Sequence, residues 1–198
     1  MTTRAALDHL TRRLASRRLL LVSGAVAVAL ATVLFATSGP ASLAAVADRC
    51  GQPAPDVRFT TSAEGVATFL AGCGHAGRAA YRDLQLLDLV YPAAIGTFLA
   101  AALALLLPRV LPAASDRVRL VVLVPLLGAL ADYTENLAAW ALLARYPEPA
   151  TWAAHLLGIA SAAKQTLNWA SFTLVALALA AALIAWVRAR RFAATPTA

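Results

Sequence analysis

The sequence is poor in charged and aromatic residues. Of its 198 residues, 14% are charged and 7% aromatic, whereas about 25% charged residues is usual in a soluble domain. Lysine occurs once, so the net charge of +7 rests almost wholly on arginine, and two cysteines allow at most one internal disulfide. The low charge disfavours a soluble globular enzyme and a disordered chain.

Hydrophobic residues make up 61% of the chain, and they are concentrated in four long runs. Each run is close to or above the length that crosses a bilayer, about 17–25 residues. Apolar runs of this length favour membrane helices over buried strands. We therefore predict an all-α protein, a single integral membrane domain (1–198) built as a four-helix transmembrane bundle, with spans at 19–36, 84–107, 118–143 and 161–187.

The arginines are unevenly distributed between the two sides of these spans. A basic lead (1–18), the loop between the second and third spans and the tail (188–198) together carry eleven cations and two acids. The loop at 37–82 with the adjoining Asp83 and the loop at 144–160 balance, with five charges of each sign. Because positive loops stay in the cytoplasm, we predict that both termini are cytoplasmic and that the chain is a multi-pass protein of the bacterial plasma (inner) membrane. This distribution also argues against a nucleic-acid partner, and membrane lipids are the expected partners.

Two features of the N-terminal half leave alternatives open. The first run follows an arginine-rich segment and precedes the small-residue pattern Ala45-Val46-Ala47, so a cleaved signal peptide competes with a retained span. In the 37–82 segment, 41–57 is expected to be mostly irregular because of its prolines. Thr61-Ser62-Ala63-Glu64 fits a capping box, which predicts a short amphipathic helix over 62–72 at the outer mouth of the bundle. That helix either packs as a cap or closes a site as a lid.

The two cysteines, Cys50 and Cys73, both fall in the predicted extracytoplasmic segment. An oxidising compartment favours a disulfide between them. It would close a loop of roughly 24 residues and stabilise the fold by about 3 kcal/mol in the chain-entropy model. His75 offers a third metal ligand nearby, but the spacing matches no zinc pattern, so we predict neither a metal nor another cofactor.

Polar residues inside the spans share helical faces. In the third span, Gly128, Asp132, Glu135 and Asn136 recur at a helical period, and in the fourth Lys164 and Asn168 do the same with serines on either side. At the start of the second, Gln85, Asp88 and Tyr91 share a face. Charged side chains are costly in contact with lipid, so these faces should point into the bundle. Pro125 is expected to kink the third helix beside the acids.

The height of these residues along the helices brings them together. A rise of about 1.5 Å per residue and a hydrocarbon core of about 30 Å place them all in the outer half of the bundle. We expect Lys164 to pair with Asp88 or Glu135. The candidate ligand-binding residues are Asp88, Tyr91, Asp132, Glu135, Asn136, Lys164 and Asn168.

Three of these elements resemble a bacterial family of four-span membrane proteins with no assigned activity. The elements are Asp88-Leu89-Val90-Tyr91-Pro92, then Asp132-Tyr133-Thr134-Glu135-Asn136, then Lys164. The family pattern reads Asp-x-x-Phe-Pro-x-x-Tyr, Asp-x-x-Glu-Asn and a lysine entering the last helix, and the resemblance covers about residues 59–174. Tyr91 stands in place of Phe, and Ile95 in place of Tyr. The resemblance implies that Asp88, Asp132, Glu135, Asn136 and Lys164 form one site, and it implies no reaction.

The sequence leaves several functions open. The first is an integral membrane protein whose buried acidic, amide and lysine cluster binds a lipid or a small, apolar ligand. The second is a structural or assembly partner in which the cluster only fixes helix register. A proton- or cation-coupled carrier and an intramembrane acid–base enzyme are further alternatives. An enzyme is disfavoured because no nucleophile, metalloprotease motif or phosphate loop accompanies the acids.

Overall fold

The computed structural model describes residues 3–112 and 116–193, and in this part of the chain the regular secondary structure is all helical, without a strand. Four long helical segments carry most of the apolar sequence, and short helices lie between them. The α-helices are α1 (Thr3–Leu14), α2 (Arg17–Ala31), α3 (Leu43–Cys50), α4 (Ala63–Gly72), α5 (Gly74–Leu87), α6 (Tyr91–Val110), α7 (Asp116–Arg119), α8 (Val124–Arg145) and α9 (Thr151–Ala193).

Within the described residues, four segments are long and apolar enough to cross a membrane, as the sequence predicts. They are Arg17–Ala36, Gly74–Val110, Leu120–Arg145 and Thr151–Arg190. The first joins α2 to a π-helical turn, Thr32–Ala36. The predicted basic lead contains α1, and residues 194–198 of the predicted tail lie outside the described residues. The all-helical class is therefore confirmed.

The second segment is interrupted by a turn near the start of the predicted span 84–107. Asp88, Leu89 and Val90 form a turn between α5 and α6. Pro92 is the physical cause, because a proline cannot donate to the carbonyl four residues earlier and its ring clashes with it. That carbonyl belongs to Asp88, and it accepts a hydrogen bond of 3.0 Å from Asn136 Nδ2 instead.

The third and fourth segments also differ from the prediction. A 3₁₀ turn, Leu120–Leu123, precedes α8, and Pro125 lies in the first turn of α8. A proline is tolerated there because the N–H it lacks would have no helical partner, so the expected kink within the helix is wrong. The region 144–160 is predicted as a loop or a separate interfacial helix. Instead, α9 begins within it at Thr151 and runs without a break through the fourth segment.

Residues 37–72, called the cap below, are more helical than the sequence suggests. The stretch 41–57, expected to be mostly irregular, contains α3 and a 3₁₀ turn, Pro55–Val57. Ser42 caps the start of α3, and Gly51 ends it with a φ of 70°, a conformation that glycine adopts without a steric penalty. The predicted amphipathic helix is α4, with Ser62 accepting a hydrogen bond from Gly65 N–H.

The cap shares a hydrophobic core with the long helices that reach beyond it. Val46 of α3, Phe69 of α4, Tyr81 of α5 and Leu157 of α9 are buried in one cluster. The cap is too short to fold around a core of its own, and these projecting helices supply the missing surface. Cys50 and Cys73 lie in the same cluster with their sulfurs 2.13 Å apart, at disulfide distance as predicted.

The long helices pack most extensively through α8 against α9 and through α2 against α6. A second cluster of buried apolar residues lies at the opposite end from the cap and includes Leu14, Leu103 and Val122. Gly96 of α6 brings that helix close to α8, since a Cβ there would lie 3.0 Å from the Pro125 carbonyl oxygen. The polar residues singled out in the sequence lie between the two clusters, near the cap.

Candidate functional site

Lys164 of α9 is the centre of the polar cluster. Its ammonium donates to Glu135 Oε2 of α8 and lies 3.5 Å from Asp132 Oδ1, one helical turn away. Glu135 is fully buried, and its other oxygen accepts a hydrogen bond from Ser161 Oγ, one turn before Lys164. The expected pairing of Lys164 with Glu135 is confirmed. The alternative pairing with Asp88 is not among the contacts of the described residues.

The cap contributes a fourth acid that the sequence analysis placed among the solvated loop charges. Asp56 lies in the 3₁₀ turn and is 5% exposed. Its backbone carbonyl accepts a hydrogen bond of 3.2 Å from Lys164 Nζ, and its Oδ2 accepts one of 2.6 Å from Gln85 Nε2. Asp56 therefore belongs to the site. The cluster then contains four carboxyl groups, those of Asp56, Asp88, Asp132 and Glu135, and one ammonium group, that of Lys164.

A cavity of about 240 Å³ opens between the cap, the π-helical turn and the long helices. We call it the acidic cavity. Asp56, Asp88, Asp132 and Lys164 are the charged residues of its lining, and Leu34, Phe35 and Leu43 are among its apolar residues. A ligand in this space would meet both carboxyl groups and hydrocarbon.

The structure separates the seven candidate residues into two groups. Asp88, Tyr91, Asp132, Lys164 and Asn168 line the acidic cavity. Glu135 and Asn136 do not line it. Glu135 is sealed beneath Lys164, and Asn136 holds the turn before α6 through the Asp88 carbonyl. The predicted helix α4, expected either to pack as a cap or to close a site as a lid, does not line the cavity either.

Two of the cavity residues are positioned by close packing. The ring of Tyr91 makes an edge-on contact with Phe35, with ring centroids 5.6 Å apart. The amide of Asn168 lies over Gly128, where an added Cβ would come within 2.8 Å of Asn168 Oδ1. The glycine therefore allows the Asn168 amide to reach the cavity.

Several buried polar atoms of the site have no hydrogen-bond partner. They include Asp56 Oδ1 of the cavity lining and Asn136 Oδ1 outside it, whereas Asp132 Oδ1 has only its ion pair with Lys164. A buried oxygen without a partner costs free energy that a bound donor can recover. Burial raises the pKa of the Asp56 carboxyl above its ordinary value, while the Lys164 ammonium acts in the opposite direction. Both observations indicate a site with unused capacity to accept hydrogen bonds or a positive charge.

The donor set is not arranged as a metal centre. Among the described residues, no group of three His, Cys, Asp or Glu side chains converges in a way that could hold a metal ion. Asp132 and Glu135 pair with the Lys164 ammonium, and Asp56 accepts a hydrogen bond from Gln85. The arrangement suits a ligand that presents one cationic or hydrogen-bond-donating group beside an apolar body.

No family model matches this chain, and no curated protein or solved structure is significantly similar to it.

Sequence reasoning missed Asp56, Gln85 and Ser161 as site partners, although Gln85 and Ser161 share faces with Asp88 and Lys164. A signal for Gln85 and Ser161 was therefore present in the helical period. Asp56 carries no such signal, since it follows the Pro53-Ala54-Pro55 segment in a predicted loop, where an acid is usually solvated. Its contact with Lys164 spans 108 positions in the sequence.

Proposed function

We propose that this chain is an integral membrane protein with the cap on the extracytoplasmic side. Large apolar side chains on the long helices support this placement, since Leu130, Leu137 and Leu177 are 62%, 72% and 63% exposed. Such surfaces favour lipid over water. The arginines at the end opposite the cap support a cytoplasmic location for both termini.

We further propose that the acidic cavity binds a small amphiphilic molecule or lipid that carries an amine. The observation that supports this most directly is the imbalance of charge at the cavity: Asp56, Asp88 and Asp132 line it with a single ammonium. Lys164 also pairs with Glu135, which is sealed below. A bound ammonium would place a positive charge among carboxylates in a low-dielectric setting, where the attraction is strong.

The apolar side chains that line the acidic cavity indicate that the ligand also carries a hydrocarbon part. Leu34 and Phe35 belong to the π-helical turn at the end of the first span, next to the acids. Because Phe35 is 56% exposed, the apolar lining of the cavity extends to the lipid-facing surface of the helices. A hydrocarbon chain could thus lie against this turn while its amine reaches the carboxyl groups.

A structural role for part of the cluster is supported by a separate observation. Ser161 and Lys164 both donate to Glu135, which is buried and does not line the acidic cavity. Such a group fixes the register of α8 against α9. We propose that this part positions Lys164 and that the cavity binds the ligand.

Three eight-carbon probes that differ only in their headgroup test the ligand class. The full-length protein in phosphocholine nanodiscs is titrated by calorimetry with octylammonium, octanol and octanoate. We expect octylammonium to bind at least about tenfold more tightly than octanol, since a charge-assisted hydrogen bond contributes about 1.5–3 kcal/mol. We expect octanoate not to bind. Equal binding of all three probes, or a preference for octanoate, would overturn the proposal.

A further inference from the structure

A second cleft, separate from the acidic cavity, lies between α5 and α8. It has a volume of about 410 Å³, and we call it the basic cleft. Its side chains that carry charge or an aromatic ring are His75, Arg78, Arg82, Trp140 and Tyr146. The three basic residues share one face of α5 because they are spaced by three and four positions. Of the described residues that line this cleft, none is acidic.

Arg78 is held in place before any ligand arrives. Its guanidinium lies over the ring of Tyr146, 4.1 Å from the centroid, and its Nη1 donates to the Leu70 carbonyl at 3.0 Å. These contacts use one face and one donor of the group, and an arginine has five donors. The remaining donors are available to an oxyanion without the cost of ordering the side chain first.

Arg82 lies one helical turn further along α5 and is exposed. Within the described part of the chain, it has neither an ion pair nor a hydrogen bond. The arginines at the opposite end of the spans are explained by membrane topology, but Arg78 and Arg82 lie at the cap end, where topology requires no positive charge. Two guanidinium groups line one cleft, and guanidinium groups bind phosphate oxygens through paired hydrogen bonds.

We propose that the basic cleft binds a phosphate group, carried either by the headgroup of an anionic phospholipid or by a water-soluble phosphate. The position of Trp140 is compatible with the first source. With a rise of about 1.5 Å per residue, it lies roughly 30 Å along the helix from Leu120, which is about the thickness of the hydrocarbon core. The cleft would then face the headgroups. Only this lipid source depends on the membrane placement proposed above.

The lipid source is tested by native mass spectrometry of the full chain in neutral detergent. The protein is mixed with equal amounts of phosphatidylglycerol and phosphatidylcholine, and the retained lipid is quantified for the wild type, R78Q, R82Q and the control R49Q. Arg49 is also an exposed arginine at the cap end, so R49Q makes the same change in net charge outside the cleft. We expect the wild type and R49Q to prefer phosphatidylglycerol, and R78Q and R82Q to lose about tenfold of that preference.

The soluble source is tested by calorimetry with inorganic phosphate in phosphocholine nanodiscs, with chloride as the control anion. Phosphate binding that R82Q abolishes and R49Q preserves assigns the cleft to a soluble phosphate. Selective retention of phosphatidylglycerol without phosphate binding assigns it to a lipid headgroup. Either result supports the proposal.

The proposal is overturned if neither phosphatidylglycerol nor phosphate is preferred by the wild type. It is also overturned if R78Q and R82Q retain as much ligand as R49Q. If R78Q fails to fold because it loses the Tyr146 contact, the comparison of ligand retention between R82Q and R49Q decides the proposal, since Arg82 is exposed. Octylammonium binding to R82Q is measured in parallel and is expected to be unchanged, so a failure here is distinguishable from a failure of the acidic cavity.

Discussion

Gln85 donates a hydrogen bond of 2.6 Å from its Nε2 to Asp56 Oδ2, although the two residues are 29 positions apart and both are buried. The bond joins the cap to α5 at the wall of the acidic cavity. Asp56 is 5% exposed, and its backbone carbonyl accepts a hydrogen bond from the Lys164 ammonium. The stability of this junction should therefore depend on whether Asp56 is protonated.

Replacing Asp56 should change the pH dependence of unfolding. Burial raises the Asp56 pKa in the folded chain above the ordinary value of 3.8, so the folded state holds this proton at pH values where the unfolded state has lost it. The free energy of unfolding of the wild type then falls as pH rises above about 4, by up to about 1.4 kcal/mol per pH unit from this group. D56N should lack that contribution.

The measurement for Asp56 is the unfolding free energy between pH 4 and pH 8 for the wild type, D56N and D48N. Asp48 is exposed on α3, so D48N serves as the control with the same loss of charge. Asp56 interacts with the other buried acids, so the difference between the wild type and D56N reports Asp56 together with that interaction. An identical slope in the wild type and D56N would contradict the assignment.

Removing the ammonium of Lys164 should be costly. K164M leaves Glu135 buried without its partner, and breaking a buried ion pair in this way costs about 3–5 kcal/mol. The matched control is R145M, since Arg145 pairs at 3.9 Å with an exposed Glu148 and such pairs contribute less than about 1 kcal/mol. K164M combined with E135Q should recover part of the loss. Unfolding midpoints that are equal for K164M and R145M would refute this prediction.

The close approach of α6 and α8 predicts an asymmetry between two glycines. In G96A the new methyl group would lie 3.0 Å from the Pro125 carbonyl oxygen, a backbone atom that cannot turn aside. We expect a loss of about 1–3 kcal/mol, despite the higher helix propensity of alanine. In G24A the nearest atoms belong to the ring of Phe98, which can rotate. The loss should therefore be smaller, and a loss in G24A as large as that in G96A would contradict this reading.

The pair formed by Cys50 and Cys73 should stabilise the cap. Protein purified without reductant should show no free thiol by mass spectrometry, and C50A combined with C73A should unfold more easily by about 3 kcal/mol. Reductant should weaken the wild type and leave the double variant unchanged. Two free thiols in the unreduced protein would rule out the bridge.

The sequence predicts the helical class and the four apolar segments because the run lengths alone carry that information. The faces of α8 and α9 follow from the helical period, and they suffice to bring Glu135 and Lys164 together. The effect of each proline depends on its position within the helix, and the sequence does not give that position. Pro125 begins α8 instead of kinking it, whereas Pro92 ends the continuity of the second segment at Asp88.

The contribution of the cap could not be predicted, because it depends on contacts between distant parts of the chain. Asp56 reaches the site through Gln85 and Lys164, and nothing in the local pattern around it signals burial. The helices α5 and α9 extend beyond the apolar runs, and their side chains pack into the hydrophobic core of the cap. An amphipathic pattern indicates that a helix has a buried face, but it does not indicate which partner covers that face.

The affinity of octylammonium for Asp132 variants tests the central claim most directly. Asp132 lines the acidic cavity, whereas Asp83 lies on the exposed side of α5, so D132N and D83N change the charge equally inside and outside it. We predict that D132N weakens octylammonium binding by at least about tenfold, that D88N does so as well, and that D83N leaves the affinity unchanged. Binding that is the same in all three variants as in the wild type would contradict the account.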